Sequence, residues 1–195
     1  MESHSRDAGW IEVICGPMFS GKTEELIRRL RRAVIARQAV QVFKPAIDKR
    51  YHDTRVTSHS AQSVEAVAVA DVEALKRAVG AGTRVVGIDE AQFFGAGLVE
   101  AVQSLADNGT RVVIAGLDQD YRGQPFDPMP ALMAVAEQVT KCLAVCAQCG
   151  ALGSRSFRLS GGDGRVQVGA ADSYEARCRQ CFHQGMLEAS RGRVA

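Results

Sequence analysis

Long hydrophobic runs and a large excess of charge are both missing from this chain of 195 residues. No apolar stretch is long enough to cross a bilayer, and the polar opening MESHSRDAGW lacks the apolar core of a signal peptide. The formal net charge of +2 is too small to indicate, by itself, a nucleic-acid or membrane surface as partner. We therefore expect a cytoplasmic protein with no nucleic-acid partner and no membrane association.

The rest of the composition is that of a globular protein. Hydrophobic residues make up 46% of the chain, and the length suggests one main domain with a small appendage. We expect a flexible tail over 1–9, the main domain over 10–145, the appendage over 146–185 and a second flexible tail over 186–195.

Buried strands alternate with helices along the main domain. Apolar, β-branched runs predict strands over 10–15, 39–43, 64–70, 83–88, 110–115 and 138–145. Helical periodicity predicts helices over 23–37, 72–79, 97–107 and 130–136, with Asp71 as an N-cap. This alternation is typical of an α/β fold with a parallel sheet flanked by helices. The first helix carries arginines that either face solvent or bind a phosphate or a neighbouring subunit: Arg28, Arg29, Arg31, Arg32 and Arg37.

A glycine-rich loop between the first strand and the first helix has the spacing of a phosphate-binding loop. Gly16 and Gly21 allow a tight turn that brings backbone N–H groups against anionic oxygens. Lys22 can reach the terminal phosphates, and the Thr23 hydroxyl can bind Mg²⁺. An ordinary glycine-rich turn is the alternative. The loop residues are Gly16, Pro17, Met18, Phe19, Ser20, Gly21, Lys22 and Thr23.

Two acidic residues follow the buried strand over 83–88. In an open α/β sheet, ligands bind just beyond the carboxyl ends of the strands. Asp89 would then hold Mg²⁺, leaving Glu90 free to act on the attacking group. The alternative is an acid pair at an ordinary strand end.

A polar stretch over 46–60 and an aromatic loop over 116–126 are further candidates for the site. Asp53 and Arg55 either form a surface salt bridge or belong to a lid that reaches the phosphates. The loop over 116–126 carries Tyr121 and other apolar residues, which suit a base-binding pocket, a subunit contact or plain packing.

Four of the six cysteines form two C-x-x-C pairs: Cys146 with Cys149, and Cys178 with Cys181. This spacing predicts a closed, structural zinc site, with unrelated thiols or a redox pair as alternatives. The remaining two, Cys15 and Cys142, are expected in the core. Between the pairs, a hairpin turn over 161–164 is expected in a loop that can close over a small ligand.

Taken together, these motifs resemble the small zinc-containing thymidine kinases, over residues 10–183. The resemblance rests on GPMFSGKT at 16–23, DEAQFF at 89–94, GLDQDYRGQPF at 116–126, and the cysteine pairs flanking a loop that ends in Tyr174. It implies a RecA-like P-loop NTPase fold with a zinc-binding lasso domain. It also implies transfer of the γ-phosphate of ATP to the 5′-hydroxyl of thymidine, and of deoxyuridine, in deoxynucleotide salvage.

The resemblance assigns roles to individual residues. ATP would lie on 16–23 with Arg55 nearby, Mg²⁺ on Thr23, Asp89 and Asp53, and Glu90 would be the general base. The residues expected to bind the nucleoside are Met18, Phe93, Leu117, Phe126, Ser156, Gln167, Val168, Gly169 and Tyr174.

Further implications of the resemblance are a homotetramer and feedback inhibition by thymidine triphosphate. The chain departs from the family pattern at two positions. Ser156 stands where the family usually has Thr, and the serine keeps the hydroxyl. Ala170 follows Gly169 where the family commonly has a second glycine. Two rival functions are a nucleic-acid-binding ATPase and a regulatory protein with a vestigial nucleotide site. The near balance of charge opposes the first, and the intact Lys22 and Glu90 oppose the second.

Overall fold

The computed structural model describes residues 8–47, 55–57, 63–160 and 173–191, with the backbone alone for 55–57 and 63. The helices are α1 Lys22–Ile35, α2 Val72–Ala78, α3 Gly97–Asp107, α4 Met129–Val135 and α5 Arg179–Arg191, with a short 3₁₀ turn at Ala91–Phe93. The strands are β1 Trp10–Cys15, β2 Val40–Pro45, β3 Arg55–Thr57, β4 Ser63–Glu65, β5 Val67–Val69, β6 Val85–Ile88, β7 Arg111–Gly116, β8 Gln138–Lys141, β9 Ala144–Val145, β10 Leu152–Gly153, β11 Arg155–Arg158 and β12 Tyr174–Arg177.

Six of these strands form one parallel sheet in the order β5-β2-β6-β7-β1-β8. The strand before the glycine-rich loop, β1, and the strand before the acid pair, β6, are separated only by β7. Because all six strands run the same way, the loops after β1, β6 and β7 meet at one edge. This confirms the predicted RecA-like α/β fold.

Two hydrophobic layers cover the two faces of the sheet. Along β1, Val13 faces the layer that includes Leu98 of α3 and Leu132 of α4. Ile14 faces the opposite layer, which includes Leu26 and Leu30 of α1. The alternation of side chains along a strand, with both faces apolar, explains why the strands read as continuous hydrophobic runs.

Arg29 is an exception to the predicted solvent-facing arginines of α1. It is only 7% exposed and donates to Glu12 and Glu25 at 2.7 and 2.8 Å, and to the Thr140 hydroxyl at 2.8 Å. Burial of a guanidinium is tolerated because these acceptors satisfy it. The ion pairs fasten α1 to the sheet.

The last part of the chain forms a small unit of short strands and one helix. Strands β9 and β10 pair, as do β11 and β12, each antiparallel. The strand predicted over 138–145 is therefore wrong in its second half, since Ala144–Val145 leaves the main sheet to pair with Leu152–Gly153.

Helix α5 extends into the segment predicted as a C-terminal tail, since residues 186–191 are helical. No proline or glycine follows Gly185 within this helix, and Met186, Leu187, Glu188 and Ala189 favour helical structure. None of the helices in the described ranges has the length and apolarity needed to cross a membrane.

Candidate active site

The glycine-rich loop wraps closely around the end of β1. Gly16 has φ +141°, and a Cβ there would lie 2.2 Å from the Cys142 carbonyl oxygen. Gly21 has φ +78° at the N-cap of α1. Since L-residues with a side chain rarely adopt these angles, the two glycines of the motif are required by the backbone itself. The loop therefore has the strand–turn–helix setting of a phosphate-binding loop.

Lys22 lies across this loop among negative charges. Its Nζ donates to the Pro17 carbonyl at 2.7 Å, to which the Ser20 hydroxyl also donates at 2.8 Å. Burial lowers the pKa of Lys22, while the carboxylates of Glu90, Asp89 and Asp118 oppose that shift. A bound triphosphate would add negative charge beside the ammonium group and so favour its charged form.

Thr23 and Asp89 lie together at the start of α1. The Thr23 hydroxyl donates to Asp89 Oδ2 at 3.3 Å, and Asp89 is 7% exposed. A hydroxyl and a carboxylate, both oxygen donors, suit Mg²⁺. The donor pair therefore fits the predicted metal, whereas Asp53 lies outside the described residues.

Glu90 has an unusual backbone conformation, with φ +52° and ψ +42° in the left-handed region. Its N–H donates to Asp89 Oδ1 at 3.0 Å. Left-handed non-glycine residues cluster at functional sites. The side chain lines a cavity of about 50 Å³ together with Met18, Lys22 and Leu117, so the predicted base faces the phosphate loop.

Gln92 holds Glu90 in place, and the sequence analysis missed this role. Its Nε2 donates to Glu90 Oε2 at 2.5 Å, and its Oε1 accepts from the Leu117 N–H at 3.0 Å. The side chain is only 4% exposed. A Cβ on Gly116 would lie 2.9 Å from Oε1, so the small residue leaves room for the amide. The DEAQ motif shows the residue, but only the adjacency of β6 and β7 shows its contacts.

Two of the predicted pocket residues form an aromatic pair. The rings of Phe93 and Phe126 meet edge to face, with centroids 6.2 Å apart. Phe126 is 7% exposed, and its N–H donates to the Asp118 carbonyl at 3.1 Å. The acid-pair turn and the loop over 116–126 thus share one aromatic contact, which offers a wall for a flat base.

Ser156 reaches the phosphate loop across a gap of 138 residues. Its Oγ accepts a hydrogen bond from the Met18 N–H at 2.9 Å, and the side chain is 4% exposed. A hydroxyl both accepts and donates, so this contact is compatible with donation by the same group to a base. The contact joins the unit containing β11 to the P-loop domain.

Tyr174 is held by an arginine that the sequence analysis did not single out. Arg158 donates to the Tyr174 hydroxyl from Nε at 3.1 Å and from Nη2 at 2.8 Å. Its guanidinium also stacks 3.6 Å from the centre of the Tyr121 ring, a favourable cation–π arrangement. The sequence gives no signal for this stack, because 37 residues separate Tyr121 from Arg158.

Several predicted residues lie outside the described part of the chain: Asp53, Gln167, Val168 and Gly169, with the hairpin turn over 161–164. The backbone of Arg55 pairs with Glu65 in the β3–β4 hairpin. The roles assigned to all of these residues stay predictions.

The four cysteines of the two C-x-x-C pairs come together. Their sulfur atoms all lie within 4.8 Å of one another, and Cys149 Sγ is 3.8 Å from Cys178 Sγ. Tetrahedral zinc with Zn–S bonds of about 2.3 Å requires sulfurs ~3.8 Å apart. The cluster therefore could hold a zinc ion, and four thiolates leave no position for a catalytic water.

Cys15 and Cys142 lie away from that cluster. Cys15 is fully buried, and burial together with the nearby Asp118 charge raises the pKa of its thiol to about 11. Cys142 is partly buried and packs against the layer beneath α1. Both positions agree with a packing role.

The fold and the site define a nucleotide-binding protein of the P-loop class, with two carboxylates at the phosphate loop and a four-cysteine structural unit. Comparison with known proteins gives the family. The sequence profile described as "Thymidine kinase" matches residues 9–182, and this chain belongs to that family.

Named relatives agree with the profile. The chain is 59% identical to thymidine kinase from Bdellovibrio bacteriovorus, with 92% of this chain and 88% of the relative aligned. It is 58% identical to thymidine kinase from Rhodothermus sp., covering 92% and 84%. Among solved structures, the flagellar accessory protein FlaH from Methanocaldococcus jannaschii matches with TM-score 0.50 and 12% identity, over 77% of this chain and 82% of FlaH. That likeness concerns the fold alone.

Proposed function

We propose that this chain transfers the γ-phosphate of ATP to the 5′-hydroxyl of thymidine, and of deoxyuridine, giving the 5′-monophosphate and ADP in deoxynucleotide salvage. Membership of the thymidine kinase family supports the proposal. The observation that carries it is the shared cavity of Lys22, Glu90 and Leu117, because a phosphate-binding cation, a carboxylate base and a pocket wall are the parts such a transfer needs.

In this mechanism the residues position two substrates for in-line attack. The loop N–H groups and Lys22 hold the triphosphate, and Glu90 takes the proton from the attacking 5′-hydroxyl. Thr23 and Asp89 would hold Mg²⁺, which offsets charge on the transferring phosphoryl group when it is bound. Asp53 and Arg55 are proposed to approach the phosphates from the polar stretch.

The base is proposed to lie between Met18, the Phe93–Phe126 pair and Leu117. Ser156, Tyr174 and the backbone of 167–169 would close over its polar edge. In this scheme the phosphate loop contacts donor and acceptor alike, since Met18 also donates its N–H to Ser156.

We propose that the four-cysteine cluster binds structural zinc. The cluster fastens the loop that follows β9 to the start of α5, because Cys146 and Cys149 lie before the loop and Cys178 and Cys181 after it. That part of the chain has little core of its own, so metal binding contributes directly to its folding.

A homotetramer in the cytoplasm and feedback inhibition by thymidine triphosphate complete the proposal. Ile35, at the end of α1, is 81% exposed and Val34 is 56% exposed, which supports a subunit contact on this helix. Thymidine triphosphate combines the acceptor base with a triphosphate, and could therefore contact the base pocket and the phosphate groups together.

Transfer of radiolabelled phosphate from [γ-³²P]ATP tests the proposal. Labelled thymidine monophosphate is expected with thymidine, and much less product with deoxycytidine under the same conditions. ATP hydrolysis that is stimulated by DNA, without label reaching thymidine, would favour the rival ATPase function.

A further inference from the structure

A second cavity, with three arginines in its wall, lies beside the small C-terminal unit. Its volume is about 590 Å³, within the range that accommodates small organic ligands. Three separate segments supply its wall: Arg122 and Gly123 of the loop over 116–126, Arg155 of β11, and Arg179, Phe182 and His183 of α5. We call it the basic cavity.

The basic cavity lies on the opposite face of β11 from the proposed nucleoside site. Successive side chains of a strand point to opposite faces. Ser156 faces the phosphate loop through Met18, whereas its neighbours Arg155 and Phe157 face α5, where the Phe157 ring packs edge to face on Phe182. None of the residues proposed to bind ATP or thymidine lines the basic cavity.

Arg155 is buried in its wall without a compensating carboxylate. The residue is 9% exposed, and its Nη1 donates to the Ser154 carbonyl at 3.3 Å. Within the described ranges it forms no ion pair. Burial and the neighbouring Arg179 charge lower the pKa of Arg155, while Asp118 opposes them; Asp118 itself is paired with Lys141 at 2.7 Å.

The contrast with Arg29 shows what is missing at Arg155. The two residues have similar overall exposure, at 7% and 9%. Arg29 is satisfied by two carboxylates and a hydroxyl. Arg155 Nη1 donates only to a backbone carbonyl, and a bound anion would give the guanidinium a charged partner.

The other residues of the wall favour a phosphate group with an organic part. Arg179 is exposed and adds positive charge, and guanidinium groups bind phosphate oxygens in a bidentate manner. His183 is also exposed. Phe182 supplies apolar surface. Gly123 has φ +74° and lies close to Phe182. A Cβ added to Gly123 would be 3.2 Å from the Phe182 ring.

We propose that the basic cavity binds a phosphate-bearing small molecule, separately from ATP and thymidine. Arg155 and Arg179 would contact the phosphate. Because Arg155 adjoins Ser156 in β11, such a ligand would sit one residue from the contact that joins the two parts of the protein.

Calorimetric titration of the zinc-loaded protein tests this proposal. The active site is first saturated with Mg²⁺, a non-hydrolysable ATP analogue and thymidine, so that added ligand reports on other sites. Inorganic phosphate and AMP are then titrated separately. One additional site per chain is expected, and tighter binding of AMP than of phosphate would indicate a nucleotide rather than a free phosphate ion.

Three variants locate the site. Arg155→Met and Arg179→Gln are each expected to weaken the additional binding about tenfold or more. Arg191→Gln is the matched control, since it removes the same charge from the same helix about 18 Å further along. If the Arg155→Met protein does not fold, the binding measurement on Arg179→Gln tests the proposal alone. Arg179 is exposed, so its substitution is expected to leave the fold intact.

Two results would overturn the proposal. One is that neither phosphate nor AMP binds outside the active site. The arginines of the basic cavity would then only offset the negative charge of the four cysteine thiolates. The other is equal weakening by Arg191→Gln, which would indicate unspecific attraction. Thymidine phosphorylation by Arg179→Gln without added anion is expected to match the unmodified protein, so failure of this proposal is distinguishable from failure of the proposed kinase function.

Discussion

Replacing Gln92 with leucine should separate the positioning of Glu90 from substrate binding. The substitution removes the donor to Glu90 Oε2 and the acceptor of the Leu117 N–H while roughly keeping the volume of a side chain that is 4% exposed. A hydrogen bond to a charged group contributes about 1.5–3 kcal/mol. If that contribution is lost in the transition state, kcat falls about 10- to 150-fold.

Binding of ATP should change little, because the Gln92 side chain bonds to Glu90 and Leu117 and not to the described residues over 16–23. The KM for thymidine should rise modestly, because Leu117 belongs to the proposed pocket wall. Leaving the Leu117 N–H without an acceptor should also lower the free energy of unfolding by about 1–3 kcal/mol, which thermal denaturation measures.

Steady-state kinetics with both substrates varied provides the assay, and Gln103→Leu is the matched control. Gln103 undergoes the same chemical change on the exposed face of α3, where its amide has only a 3.4 Å contact with the Val99 carbonyl. A Gln92→Leu protein with native zinc content and a kcat within twofold of the unmodified protein would refute the positioning argument.

Four further changes test other parts of the site. Glu90→Gln should keep both substrates bound yet lower turnover about 10²- to 10⁴-fold; near-normal turnover would exclude Glu90 as the base. Ser156→Ala should raise the KM for thymidine about 2- to 10-fold, because the Met18 N–H loses its acceptor; Ser156→Thr keeps the hydroxyl and serves as the control. Chelation of zinc, or Cys146→Ser, should abolish nucleoside binding before the main sheet unfolds, as seen by calorimetry and circular dichroism; unchanged affinity for thymidine in zinc-free protein would contradict this. Iodoacetamide at pH 8 should leave Cys15 unmodified in the folded protein, since burial raises the pKa of its thiol to about 11; rapid alkylation detected by mass spectrometry would argue against that burial.

Local chemistry made several features predictable. Gly16, Gly21 and Lys22 lie within seven residues of one another, so the phosphate loop is encoded by spacing alone. Asp71 was predicted as an N-cap, and its Oδ1 accepts from the Ala74 N–H at 2.7 Å. The four cysteines were predicted to meet because two C-x-x-C pairs share one preferred geometry.

Other features depended on which strands became neighbours. In the sequence, Arg29 resembles the other arginines of α1 that were expected to face solvent. Its burial follows from the position of Glu12 on β1, to which it donates. The strand predicted over 138–145 was also too long. No local feature of the sequence indicates that Ala144–Val145 pairs with Leu152–Gly153 instead of extending β8. Likewise, residues 186–191 are polar enough to suggest a tail, yet helical propensity continues α5.

By itself, the sequence determined the class of chemistry: a phosphate loop, an acid pair after a buried strand and a four-thiolate cluster, each set by residue type and short spacing. Only the tertiary structure decided how those parts serve one another. Ser156 meets Met18, Gln92 joins Glu90 to Leu117, and Arg155 has no carboxylate partner among the residues that the structure describes. These outcomes follow from strand order and packing, which bring together residues that are far apart in the chain. Such contacts have no periodicity in sequence, and so no local pattern predicts them.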